Sequence, residues 1–320
     1  MIHGIRGTDG RLYVDNSILS AEAACQTRAS IRYMLALEAV LDAPALECGR
    51  AMHKAFEEHF RGAVPAQVLA VLEREYKAYA VQHVVEGGCP DYHLRFGWEN
   101  VRRVLAAWVA ARPVHTFPFT VDVGSIEQGF CVPLVPEDDI WYTGTPDIGK
   151  VTFQVDGKVY FVDHKTTGRL SADWRVGFRT SGQISGYCWG LTQATGVTYA
   201  GGFINALELA KLPGSTRRCK DHGVPYVECA ELHVAYDLIP VGRSAEQLER
   251  WKANAVYLAQ RYAARVERVK GLEDLASVAQ DGMFSHSCGF CAAREFCETG
   301  QNPVVASQVF VEQAWDPQAR

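Results

Sequence analysis

The feature that most constrains this chain is Asp156-Gly157, set between IGKVTFQV at 148–155 and KVYFVDHK at 158–165. Both flanks are rich in β-branched and aromatic residues, and an Asp-Gly pair favours a two-residue turn with positive φ. The spacing therefore predicts an antiparallel hairpin. Side chains alternate along a strand, so Val159, Phe161, Asp163 and Lys165 share one face, with Asp163 and Lys165 side by side at the strand end. The first strand starts just after Asp147, in Gly144-Thr145-Pro146-Asp147, and a hairpin of these lengths returns Asp163 to its neighbourhood.

Two carboxylates converging beside a lysine suit hard, oxygen-preferring Mg²⁺ or Mn²⁺. Phosphodiester hydrolysis needs such an ion to polarise phosphate and to acidify the attacking water. The lysine positions that water or neutralises developing charge. A D-x-K at a strand end is also an ordinary surface ion pair, worth little in stability, so its surroundings decide.

Those surroundings are mixed. Residues 17–42 read as one helix opened by Ser17, a second helical stretch begins near Gly49, and 66–85 and 98–111 are helical too. From about 117 to 165 the chain reads as short strands, followed by a helix at 181–194, strands at 197–207 and 226–238, and a long helix at 244–270. Residues 208–225 are expected to be a mobile loop. This order predicts an α/β fold: a mixed central β-sheet flanked by helices. We expect one domain over 1–320, with a core at 45–240 and a helical layer built from 15–44 and 245–300.

The net charge of −5 excludes a protein that coats nucleic acid through its overall field, though not a local basic groove. Lys165, Arg169, Arg175 and Arg179 make one basic cluster, and Lys211, Arg217, Arg218 and Lys220 another; charge runs are usually solvated faces. Trp174, inside the first cluster, is placed either to stack on unpaired bases or to pack in the core. No apolar run approaches the roughly 18 residues of a membrane span. The opening MIHGIRGTDGRLY lacks the apolar core of a signal peptide, so a cytoplasmic protein is expected.

Ten cysteines in such a chain are not expected to form a disulfide framework. Cys48, Cys89, Cys131, Cys188, Cys219 and Cys229 are scattered, and read as small buried apolar residues. Cys288-x-x-Cys291-x5-Cys297 is a compact run of thiolates suited to a metal or cluster.

Gly49-x-x-x-His53, Gly144-x-x-Asp147, Asp163-His164-Lys165-Thr166 and Gln183-x-x-x-Tyr187 stand in the order and rough spacing of one nuclease family. The chain resembles the RecB-type branch of the PD-(D/E)xK nuclease superfamily, over roughly residues 20–300. The resemblance implies a restriction-endonuclease-like core. His53, Asp147, Asp163 and the backbone carbonyl of His164 would be the metal ligands, and Lys165 the catalytic lysine. Gln183 and Tyr187, one helical turn apart, would border the site. Glu127, on the strand before Asp147, is a weaker candidate for a further acid.

Some members of that branch, AddB-like helicase–nuclease subunits and CRISPR-associated exonucleases among them, bind a [4Fe–4S] cluster through one N-terminal and three C-terminal cysteines. By that similarity Cys25 would join Cys288, Cys291 and Cys297 in closing the helical layer. All-cysteine ligation fits such a cluster. Four thiolates also suit structural zinc, and Cys48 is an alternative fourth ligand. The implied activity is that of a metal-dependent DNA nuclease, in particular an exonuclease on DNA ends or single strands. DNA is the implied partner, with recombination or CRISPR-adaptation proteins beside it. The alternative is a non-catalytic DNA-binding or assembly module that keeps the nuclease fold.

Overall fold

The structure, a computed structural model, describes residues 7, 9–39, 44–83, 96–209, 222–224, 234–284 and 286–316. The N-terminal part holds β1 (Leu12–Val14), α1 (Asn16–Ala24), α2 (Gln26–Ala29) and β2 (Leu37–Ala39). Three longer helices follow: α3 (Pro44–Phe60), α4 (Pro65–His83) and α5 (Trp98–Ala111). Then come β3 (Phe119–Val121), β4 (Phe130–Val135), β5 (Ile140–Gly144), β6 (Ile148–Phe153) and β7 (Val159–Thr167). Helices α6 (Ala172–Gly177) and α7 (Gly182–Thr195) lead to β8 (Tyr199–Glu208) and β9 (Tyr236–Gly242). Last come α8 (Ala245–Val266), α9 (Arg294–Glu298), α10 (Pro303–Val309) and β10 (Phe310–Glu312).

The main sheet has the order β3-β6-β7-β8-β9, with β7 and β8 parallel and the other pairs antiparallel. A parallel pair needs a crossover, and α6 and α7 supply it. The mixed α/β architecture expected from the sequence is therefore present. A smaller sheet, β1-β5-β4, and a β10-β2 pair complete the described strands. Among the described residues no helix is long and apolar enough to cross a membrane.

Both faces of the main sheet are covered, which explains the near-continuous apolar runs in its central strands. Val162, Phe203, Leu207, Ile148 and Val151 pack on α3 and α5 through Phe56, Phe60 and Trp108. Phe161, Ile204 and Ala206 face a second core with Tyr187, Tyr142 and Tyr262. Within that core Glu22 is fully buried and accepts from Arg265 Nη1 at 2.9 Å and Arg261 Nε at 2.6 Å, tying α1 to α8.

The hairpin forms with a different turn from the expected one. Residues 154–157 make a four-residue loop, closed by Phe153 N–H donating to Lys158 O and Gly157 N–H to Phe153 O, each at 2.9 Å. Only Gly157 has a positive φ, +68°; Asp156 instead accepts the Lys158 amide on its carboxylate at 3.0 Å. The side chain thus competes with the two-residue turn. A register shift between Ile148 and Val151 then sets Ile148 opposite Val162. One residue further on, this places Asp147 opposite Asp163.

The helix expected over 17–42 is broken. Cys25 is extended (φ −169°, ψ 122°), and after α2 the chain runs through a π-turn, Ser30–Met34, into β2. Long-range bonds override the helical pattern here: the Gln26 amide donates to Asp281 at 3.1 Å and the Thr27 amide to Ala279 O at 3.2 Å. Helix α3 begins at Pro44, earlier than Gly49, since proline is tolerated in a first helical turn. Helix α8 ends at Val266, short of 270. The strand expected at 226–238 is described only from Tyr236, and it runs on to Gly242. Most of 208–225, with Lys211, Arg217, Arg218 and Lys220, lies outside the described residues, as do Cys89, Cys219 and Cys229. Cys48 and Cys188 are buried as expected, their thiols pushed up to about 12 by burial. Cys131 is exposed, because alternation along β4 turns it outward.

Candidate active site and cysteine pocket

The acidic centre sits where β6 begins and β7 ends. Asp147 Oδ1 meets His53 Nδ1 of α3 at 3.0 Å, and its other oxygen accepts the backbone amide of His164. Asp163 Oδ2 lies 2.7 Å from Lys165 Nζ. Both carboxylates are almost inaccessible, with side-chain exposures of 11% for Asp147 and 4% for Asp163.

Their electrostatics diverge. Burial raises the Asp163 carboxyl above its ordinary range; Lys165 opposes this and the charge of Asp147 adds to it. Burial also works against ionised Asp147, but His53, through charge and hydrogen bond, holds it well below the usual carboxylate range. His53 is correspondingly raised: burial lowers it and Asp147 more than compensates. Each acid is thus matched to a cation of the protein's own.

Glu127 is close by, though not on a strand as expected. It occupies a tight turn with φ +55°, and its amide donates to Asp147 O at 3.0 Å. Burial and the neighbouring Asp147 raise its carboxyl, and Lys54 Nζ approaches it at 3.8 Å.

The side chain of His164 points away from the acids, into the α3 side of the sheet. Its ring stacks on Phe60 with 5.2 Å between centroids and 14° between planes, and lies 4.9 Å from Phe56. Asn205 Nδ2 donates to its Nδ1 at 3.0 Å. Burial holds this imidazole neutral, its pKa lowered to about 3.

Gln183 and Tyr187 do share a face of α7, and Gln183 Nε2 donates to the Tyr187 hydroxyl at 3.1 Å. That hydroxyl donates in turn to Thr145 O, also at 3.1 Å, two residues before Asp147. Tyr187 is also in the core, edge-on to Phe130 and Phe161. The pair therefore braces the segment that delivers Asp147. Trp174 packs edge-on against Phe178 at 4.7 Å and is partly buried. Arg175 pairs with Asp237 at 2.6 Å.

What lets α7 approach so closely is a row of glycines four residues apart, which the sequence reading passed over. A Cβ on Gly186 would overlap the Tyr142 hydroxyl and lie 2.9 Å from Trp251, and one on Gly190 would overlap the Phe130 ring. Helical spacing of Gly182, Gly186 and Gly190 was the available signal.

Cys25, Cys288, Cys291 and Cys297 line one cavity of about 270 Å³, together with Gly282 and Met283. Cys25 reaches it from the break between α1 and α2, and Cys297 from α9. Burial, with the other three thiols nearby, pushes Cys297 up to about 11. Cys48 is buried in the opposite core, which removes it as a candidate for this pocket. Among the described residues no three His, Cys, Asp or Glu side chains are arranged as a metal-binding group, here or at the acidic centre.

Residues 17–298 match the family model of the PD-(D/E)XK nuclease superfamily. The chain belongs to that superfamily. A solved structure described as a "Putative exonuclease" from Eubacterium rectale is similar over 88% of this chain and 87% of its own, at 12% identity and a TM-score of 0.48. No curated protein matches the chain. In this PD-(D/E)XK nuclease the fourfold motif order therefore has a spatial counterpart: His53, Asp147, Asp163 and Lys165 lie on three adjoining elements, and Gln183 and Tyr187 stand behind the loop that carries Asp147.

Proposed function

We propose that the chain is a divalent-cation-dependent DNA nuclease that acts on DNA ends or single strands. The observation that carries this reading is the convergence of Asp163, buried, and Asp147, largely shielded, beside Lys165. His53 and Lys165 compensate these shielded carboxylates, and a bound divalent cation would take over part of that role. The donor set, two carboxylates and an imidazole, fits Mg²⁺ or Mn²⁺ in chemistry. His53, Asp147, Asp163 and the carbonyl of His164 would hold the ion. Such an ion supplies Lewis-acid polarisation of phosphate and a more acidic water. Lys165 holds a positive charge where the phosphorane charge develops, and Tyr187 fixes the loop bearing Asp147. One nuclease domain over 1–320, with recombination or CRISPR-adaptation proteins as partners, accords with this reading.

A [4Fe–4S] cluster is supported by the donor chemistry of the pocket, which four cysteines line. A Cβ on Gly282 would stand 3.2 Å from Cys288 Sγ, a tight approach, and 3.7 Å from Cys25 Sγ, so this glycine lies directly against the two thiols. A cluster there would tie the two ends of the domain together. Iron analysis and the visible absorption of anaerobically purified protein separate it from zinc.

The activity test is cleavage of 5′- and 3′-labelled linear, single-stranded and circular DNA with Mn²⁺ or Mg²⁺. We expect wild-type protein to cut linear substrates, and Asp163→Ala and Lys165→Ala not to. Undiminished cleavage by both variants overturns the active-site assignment. DNA binding without cleavage by the wild type identifies the non-catalytic module instead.

A further inference from the structure

We infer that His164 and Asn205 are positioning residues for the acidic centre, acting through the ring of His164 and not by ligation from it. The inference rests on the metal-dependent reading above and deepens it. His164 lies between Asp163 and Lys165 in sequence, yet its ring points to the face of β7 opposite their side chains, while its backbone amide lies in the sheet and donates to Asp147. Its ring is 1% exposed, on the far side of the sheet.

Three contacts fix that ring. Asn205, 2% exposed and paired with His164 across the parallel β7–β8 ladder, donates to Nδ1 at 3.0 Å. Phe60 stacks on it, and Phe56 lies 4.9 Å away. Phe56 and Phe60 stand on α3, the helix that also carries His53, and the His53 ring itself lies 6.0 Å from His164, edge to face. The ring of His164 is therefore part of the surface on which α3 docks against β7, beside Val162. Docking sets how far His53 reaches toward Asp147, and the same residue's amide sets the angle of the Asp147 carboxylate. One residue thus bears on two donors that come from different elements, on His53 through its ring and on Asp147 through its backbone amide.

The polar contact points the same way. A ring needed only for packing would be served by phenylalanine, as at positions 56 and 60 around it. Burying an imidazole with a buried amide is costly unless the two satisfy each other. His164 Nε2 has no hydrogen-bond partner among the described residues, so the Asn205 contact is what sets the ring's rotation and tautomer.

Mn²⁺ binding by isothermal titration, measured beside the thermal midpoint of the metal-free protein, tests this. The variants are His164→Leu, His164→Gln, Asn205→Ala and Phe117→Leu. Phe117 packs on Phe60 and Trp108 in the same layer and serves as the control for packing alone. We expect His164→Leu and Asn205→Ala to weaken Mn²⁺ binding by about 10- to 100-fold, the usual cost of losing an outer partner of a metal site. His164→Gln, which keeps a group able to meet Asn205, recovers part of that loss. Phe117→Leu lowers the midpoint and leaves affinity unchanged. If His164→Leu does not fold, Asn205→Ala decides. Wild-type affinity in the folded His164 and Asn205 variants, alongside loss of binding in Asp163→Ala, overturns the positioning role alone. A wild-type protein that binds no Mn²⁺ overturns the metal reading and this inference with it.

Discussion

The acidic centre and the cysteine pocket are built on opposite logics. Asp163 stands on β7 and Asp147 immediately before β6, at one end of a single hairpin whose ladder sets their separation. Cys25 and Cys288 lie at opposite ends of the chain and are brought together by the Glu22 clamp of α1 to Arg261 and Arg265 of α8 and by the bonds of the Gln26 and Thr27 amides to Asp281 and Ala279. The acids are already compensated by His53 and Lys165, whereas the thiols face a cavity. On the proposed reading the acidic centre would keep its fold without its metal, whereas the cysteine pocket would depend on its cluster.

The sharpest break of that comparison is a reciprocal pair of variants. Asp163→Ala should lower cleavage on the order of 10³-fold while the melting temperature and iron content stay near wild type. Cys291→Ser should lose iron and solubility together. A soluble, iron-free and fully active Cys291→Ser protein refutes the clamp.

Glu22→Ala comes next. It strands Arg265, 3% exposed, without its carboxylate, and breaking such a buried pair costs about 3–5 kcal/mol. Chemical denaturation reads the loss directly. Iron retention should fall with it, since Cys25 follows α1; a destabilised protein with full iron content would show that the pocket does not depend on the ion pair.

How far the sequence carried these features follows from their range. The hairpin and the sharing of a face by Asp163 and Lys165 were legible because both depend on residues a few positions apart. The turn itself was not: Asp156 spends its carboxylate on the Lys158 amide, and the resulting loop, with the shift before Val151, is what aligns Asp147 with Asp163. The break at Cys25 was invisible for the opposite reason. Its cause is a segment some 250 residues away, which captures the amides of Gln26 and Thr27. Glu127 was placed on a strand because nothing local announces a left-handed turn at a glutamate.

A smaller effect tests how α7 serves the acidic centre. Gly186→Ala puts a methyl group against Tyr142 and Trp251, and overpacking of this kind costs about 1–3 kcal/mol. Because Tyr187 follows Gly186 directly, the displaced helix should also loosen its bond to Thr145 O, lowering kcat more than DNA affinity. Full activity at reduced stability would confine the glycine row to packing.

The smallest expected effect is a pH dependence of the metal-free protein. His53 titrates above its ordinary value in the folded state, so its pairing with Asp147 stabilises fully below about pH 6.5, the unfolded imidazole's value, and is lost as pH rises through the folded value. Asp147 is lowered, so its share is present above the unfolded carboxylate value and is lost only in strong acid. Two buried histidines oppose the His53 contribution, because His59 and His164 are lowered by burial and add stability as pH rises toward about pH 6.5. Above about pH 6.5 the His53 pairing is the contribution that falls, so the gap in melting temperature between metal-free wild type and His53→Ala should narrow as pH rises there. Added Mn²⁺ should reverse it, because the cation competes with the proton on His53 and binds better as pH rises. The cysteine pocket predicts no such reversal. A slope unchanged by His53→Ala would move the pH-sensitive group away from the acidic centre and leave the Asp147 carboxylate held by the His164 amide alone.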